Sequence, residues 1–97
     1  MSVPPPRIQN HGAERMRLVA WARLDPAESY VAESTLYGVP LRIGGVAIME
    51  NDGGFYVFSC DDDWRVVWDE WCESAGDAMT CVRHMFPLTH ARLERVP

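Results

Sequence analysis

Between Leu41 and Asp69 the chain offers three apolar runs separated by two short turns, an arrangement that leaves few folds open. "LRIGGVAIME" is the first run, and "NDGG" at Asn51 to Gly54 is a hairpin signal, because these residues tolerate positive φ at little cost. "FYVFSC" follows, then the aspartates Asp61 to Asp63 as a second turn, then "WRVVWD". Strands joined by such short connections must be antiparallel neighbours, so a meander is expected. Gly44-Gly45 inside the first run predicts a bulge or a close backbone approach, since two adjacent side chains are missing. A phosphate-cradling loop would need a helix start after the glycines, and here more strand follows.

A helix is expected after the meander, over about 74–86. Ser74 and Asp77 form a capping-box-like start, and Ala75, Ala78, Met79, Val82, Met85 and Phe86 fall on one helical stripe. Asp77 in the first turn and Arg83 and His84 in the last suit the macrodipole, and Pro87 stops the element. Upstream, Met16, Leu18, Ala20, Ala22 and Leu24 alternate with Arg15, Arg17, Val19, Trp21 and Arg23, which predicts a strand with the first set in the core. "DPAE" interrupts it, and we expect one helical turn and then a strand near Tyr30 to Tyr37, with a short helix as the alternative. "YGVP" reads as a turn, residues 1–12 as an extended proline-rich arm, and the tail "LTHARLERVP" as a short strand or a second small helix.

The chain's 97 residues suit one domain, 13–97 after the arm, and 47% hydrophobic content is that of a globular protein. No apolar run reaches the roughly 18–20 residues of a membrane span, and the first residues lack the basic and apolar regions of a secretory signal. With three cysteines, an odd number, the expected compartment is the reducing cytoplasm. All nine basic residues are arginines, which excludes lysine Schiff-base catalysis and a P-loop lysine. Charge is uneven: residues 1–48 carry five arginines against four acids, and residues 49–97 four against ten. Nine of those ten acids lie between Glu50 and Asp77, with only Arg65 among them. Such a field disfavours nucleic acid and favours a basic protein surface, although acids also serve solubility.

Within that segment, "SCDDDWRVVWDEWC" gathers the residues that could carry chemistry. Calcium loops space their ligands alternately, include a glycine and end in a bidentate glutamate, and the aspartate triplet has neither the spacing nor the glycine. At a hairpin tip the three carboxylates should be solvated, which is the wrong setting for general acid–base work. Trp64 and Trp68 are expected in the core, with Trp71 on the opposite face where the strand runs out. Cys81 and His84, with Asp77 one turn earlier, could form half a zinc site or a Cys–His pair, but no second pair stands at ligand spacing. A solvated, dipole-favoured His84 is the simpler expectation.

Residues from about Tyr37 to Pro87 resemble small bacterial α+β domains of the uncharacterised and immunity-protein-like families. The resemblance rests on "FYVFSCDDDW", "VVWDEW" and "ESAGDAM", an aspartate-led turn before a tryptophan strand and a serine-capped helix. It carries no catalytic motif, and it implies binding to a toxin or a larger partner. Taken together, the expectation is an α+β fold: an antiparallel sheet of about four to five strands with one C-terminal helix packed on one face. The helix stripe, Met16, Leu18, Leu24, Ile43, Phe58, Trp64 and Val66 should supply the core. The expected function is non-catalytic, an acidic immunity or inhibitor protein without cofactor or metal. Asp61, Asp62, Asp63, Asp69, Glu70 and Glu73 would form its rim, with Trp71 or Tyr56 as anchor. The alternatives are an accessory subunit of a larger complex, with the arm draped over a neighbour, and a small metal-dependent or cysteine enzyme.

Overall fold

A computed structural model describes residues 4–33 and 40–97. Among the described residues, a single 3-10 turn (Ala13–Arg15) precedes seven strands and two α-helices: β1 (Arg17–Arg23), β2 (Tyr30–Glu33), β3 (Pro40–Ile43), β4 (Gly45–Asn51), β5 (Gly54–Cys60), β6 (Val66–Cys72), α1 (Ala75–Met85), α2 (Pro87–His90) and β7 (Glu94–Arg95). Five of the strands form one antiparallel sheet in the order β6-β5-β4-β1-β7, and β2 and β3 form a separate two-stranded ribbon. The protein is therefore α+β, with β4, β5 and β6 as the expected meander. The tail contributes both a short helix and a short strand. The outer part of the strand expected to Tyr37, and most of the "YGVP" turn, lie outside the described residues.

Turn chemistry sets the register. Asp52-Gly53 closes a two-residue loop between the paired Asn51 and Gly54, and the Asn51 side chain accepts the Gly53 amide at 2.9 Å. After "DPAE" the chain makes one turn, with Ser29 N–H donating to the Asp25 carbonyl at 3.1 Å, and then enters β2. Helix α1 begins where expected, the Ser74 hydroxyl accepting the Asp77 amide at 3.1 Å.

Both faces of the large sheet are covered, and by different means. On one face, Ala78 and Val82 of α1 and Phe86 at its end meet Ala20, Ala22, Val46, Ile48 and Val57. Each large side chain so buried contributes about 1.5–3 kcal/mol. The β2–β3 ribbon closes the end of this layer, with Tyr30 stacked on Phe86 at 6.4 Å between ring centres. On the other face, Ile8, Ala13 and Trp64 cover Trp21, Ala47, Met49 and Phe58.

Three expectations are corrected here. Met16 and Leu18 do not share a face with Ala20 and Ala22, because a bulge in β1 between Leu18 and Ala20 shifts the alternation. They join Trp21 on the face away from α1. Residues 1–12 are not simply an arm: Ile8 is buried, and the Gln9 amide donates to the Trp64 carbonyl at 3.1 Å. The Asn10 side chain meanwhile takes the place of a strand against Val66, its Oδ1 accepting the Val66 amide at 2.6 Å and its Nδ2 donating to the Val66 carbonyl at 3.2 Å. Trp68 is the third correction and belongs to the surface described below.

A carboxylate also anchors α2. Glu28 accepts the amides of Leu88 and Thr89 and the Thr89 hydroxyl at 2.8, 2.7 and 2.6 Å. Burial pushes this carboxyl up, but the Thr89 hydroxyl, the two amides and the nearby Arg92 charge together outweigh it and hold it below its ordinary 4.5. A carboxyl lowered on folding stabilises the fold above its unfolded value, and that contribution disappears as pH falls through the folded value. Thermal unfolding followed from pH 6 down to pH 3 should therefore show the wild type losing stability more steeply below about 4.5 than Glu28→Gln. Parallel curves for the two proteins would contradict this role.

Candidate interaction surface

The segment from Asp61 to Glu73 separates into a built turn and an open strand. Asp61 is only 6% exposed. Its Oδ1 accepts the amides of Asp63 and Arg65 at 3.0 and 2.9 Å, and its Oδ2 accepts Arg65 Nε at 2.8 Å. The turn is closed further by backbone bonds from the Asp61 amide to the Arg65 carbonyl and from the Trp64 amide to the Asp61 carbonyl. Asp61 is thus a scaffold of the turn rather than part of a solvated rim. Asp62 and Asp63 are exposed, Asp62 lying 3.9 Å from Arg42 and Asp63 4.0 Å from Arg65.

Trp64 follows this turn in a left-handed conformation, φ 64, and is 7% exposed. Its indole meets Trp21 edge-on at 5.8 Å, and the Arg23 guanidinium lies over the ring at 4.9 Å. A Cβ on Gly45 would stand 2.7 Å from the Trp64 ring, and one on Gly44 would strike the Asp62 carboxylate. The glycine pair is therefore a close approach, as one of the two sequence readings had it.

β6 begins at Val66, and a register shift where Ser59 and Cys60 face it takes up Val67 as an extra residue. Because of that shift and the left-handed Trp64, Trp64 and Trp68 do not share a buried face. Trp68 is 62% exposed, opposite Ser59, contrary to the expectation of a core tryptophan. Trp71 is 54% exposed on the opposite face, paired with Tyr56 and lying over Gly54. Tyr56 is half-buried and stacked on Phe58 at 5.7 Å, so it serves as backing for Trp71. Asp69, Glu70 and Glu73 are exposed around these rings. Asp69 and Trp71 share one face of β6, and Trp68 and Glu70 share the other. Asp62 and Asp63 stand before the start of β6, with the whole strand, about 20 Å long at strand spacing, between them and Glu73.

The remaining candidates carry less. Pro4 and Pro6 border an open cleft of about 480 Å³ with Trp21, Trp64, Arg23 and Arg92, whose arginines already bond the Asp62 carbonyl at 2.9 Å and Asp25 at 3.3 Å. Cys81 faces Cys72 and Met85 rather than His84, with its Sγ 3.5 Å from the Met85 sulfur. Burial is the main cause that raises the thiols of Cys72 and Cys81; at Cys72 a hydrogen bond with Cys81 opposes it and the charges of Glu70 and Asp77 add to it, and at Cys81 the charges of Cys72 and Glu70 add to it. Burial beside Asp61 pushes Cys60 up to about 12. A nucleophilic cysteine needs the opposite shift, so the Cys–His pair does not fit. Among the described residues no group of three or more His, Cys, Asp or Glu side chains converges as metal ligands would. No described helix is long and apolar enough to cross a membrane.

Trp68 is the surface residue that strand alternation misses. Neighbouring acids do not distinguish it, since Trp64 directly follows three aspartates and is buried. Compared with protein-family models, with curated proteins and with solved structures, the chain matches none.

Proposed function

We propose that this chain is a non-catalytic binding protein, most concretely an acidic immunity or inhibitor protein, that docks a basic partner surface through β6. The observation that supports this reading is the exposure of two tryptophans on one strand among Asp69, Glu70 and Glu73. Large aromatic side chains are costly to leave in water and are enriched as anchors of protein interfaces. The acids around them are exposed, which suits steering of a cationic partner and does not suit proton transfer at a buried centre. Asp61 leaves the proposed rim, Trp68 joins Trp71 as an anchor, and Tyr56 supports the latter.

The partner can be recovered from the native host by affinity capture and identified by mass spectrometry, after which association is measured by stopped flow. The association rate should fall by about an order of magnitude between low and physiological salt, and by a similar factor in Asp69→Asn/Glu70→Gln/Glu73→Gln. A rate indifferent to both changes would remove the electrostatic part of the reading. The accessory-subunit reading requires an arm, residues 1–12, that orders only in an assembly, and the bonds of Gln9 and Asn10 to Trp64 and Val66 speak against it for that part of the arm.

A further inference from the structure

β6 is an edge strand of seven residues, and the pairing pattern fixes which of its backbone groups face outward. The two-residue turn makes Asn51 and Gly54 a hydrogen-bonded pair, so Gly54, Tyr56 and Phe58 direct their backbone groups to β4. Phe55, Val57 and Ser59 then direct theirs to β6, where Cys72, Glu70 and Trp68 receive them. The amides and carbonyls of Asp69 and Trp71 are left pointing away from the sheet.

Elsewhere the large sheet blunts its edges. β7, at the opposite side, is two residues long, and the start of β6 is sealed by Asn10 bonding both backbone groups of Val66. Short strands and covering segments are the usual means of blunting an edge. From Trp68 to Cys72 there is neither lysine nor proline nor a bulge. Only acids stand there, and their sign is selective.

We propose that the open part of β6 takes up an extended, arginine-bearing segment of a partner protein as an additional antiparallel strand. This rests on the docking function proposed above and specifies its mode. Each face of β6 carries one tryptophan and one acid two residues apart: Trp71 with Asp69, and Trp68 with Glu70. An arginine projecting from an added strand on either face can lie over the indole while its charge meets the carboxylate. The added backbone pairs with the groups of Asp69 and Trp71.

A second copy of this chain is a poor occupant. Antiparallel pairing through the outward groups of Asp69 and Trp71 allows three central registers. They set Glu70 against Glu70, Asp69 against Asp69, or Asp69 against Glu73, and like charges directly opposite are destabilising.

The test uses the whole protein and a capped peptide of about nine residues, alternating arginine with threonine, against the same peptide N-methylated along one edge. Backbone methylation removes strand pairing and keeps the charge. The parent peptide should bind, slow amide exchange at Asp69 and Trp71 by at least about tenfold, and lose at least about tenfold in affinity on methylation. On the protein side, Asp69→Pro should abolish binding while Asp69→Asn weakens it only in part, because proline removes an outward N–H that β5 does not use. If both peptides bind alike and the Asp69 and Trp71 amides stay unprotected, strand addition is overturned while acidic docking stands. Should neither peptide bind, docking of arginine-bearing partners fails along with it. A dimer in sedimentation that Asp69→Pro dissolves would assign the edge to a second copy and overturn the proposal as well.

Discussion

Trp64→Ala should unfold with a stability loss of about 3–5 kcal/mol, among the largest expected of any single substitution in the chain. The indole closes the sheet face that α1 does not reach, where it meets Trp21 and lies under Arg23. Alanine would leave a cavity between Ile8, Trp21 and Gly45, and the left-handed backbone at position 64 would keep its strain. For a domain of this size that loss lowers the unfolding midpoint by about 15–25 °C. The same contact can be tested from its other side. Gly45→Ala forces a methyl against a buried, rigid ring and should cost about 1–3 kcal/mol, whereas Gly44→Ala meets an exposed aspartate that can swing away. In a Trp64→Ala background the Gly45→Ala cost should largely vanish, since the two share one contact. Denaturant unfolding of the single and double variants measures this directly, and additive costs would show that ring and glycine do not oppose each other.

Asp61→Ala carries the second large effect, about 2–4 kcal/mol. The substitution removes the carboxylate that two backbone amides and Arg65 Nε bond at once. Arg65 is half exposed, so the ion pair itself is screened and most of the loss comes from the amides. Asp61→Asn retains Oδ1 for both amides and should cost about 1 kcal/mol. Asp62→Asn and Asp63→Asn should fall within about 0.5 kcal/mol of wild type, as exposed charges usually do. Equal losses at all three positions would mean that the triplet acts as a charge cluster and not as a turn built on its first member.

That difference within three identical residues marks where a sequence stops being readable. "NDGG", the serine-capped helix and the paired glycines each have a local physical cause, and the hairpin, α1 and the close approach stand where those causes put them. Trp64 is buried as expected, but Trp68 does not share its face, because alternation assumes an unbroken strand. A left-handed residue and one inserted residue at Val67 break it between them. The β1 bulge moved Met16 and Leu18 by the same means. Nothing in "PPPRIQNHG" has a period, so the covering of the second face by Ile8 and the sealing of Val66 by Asn10 are properties of the assembled sheet. Asp61 differs from its neighbours only by being first in the turn, where its carboxylate reaches amides two and four residues on.

The function proposed for β6 rests on its two exposed rings. Affinity of the captured partner for Trp68→Ala/Trp71→Ala, with thermal unfolding as a check on the fold, is the direct measurement. Both side chains are more than half exposed, so stability should change little. If β6 is the docking strand, the pair should behave as anchors and the affinity should fall by about a hundredfold or more. An unchanged affinity in a folded double variant would place the contact elsewhere and remove β6 from the function proposed for this chain.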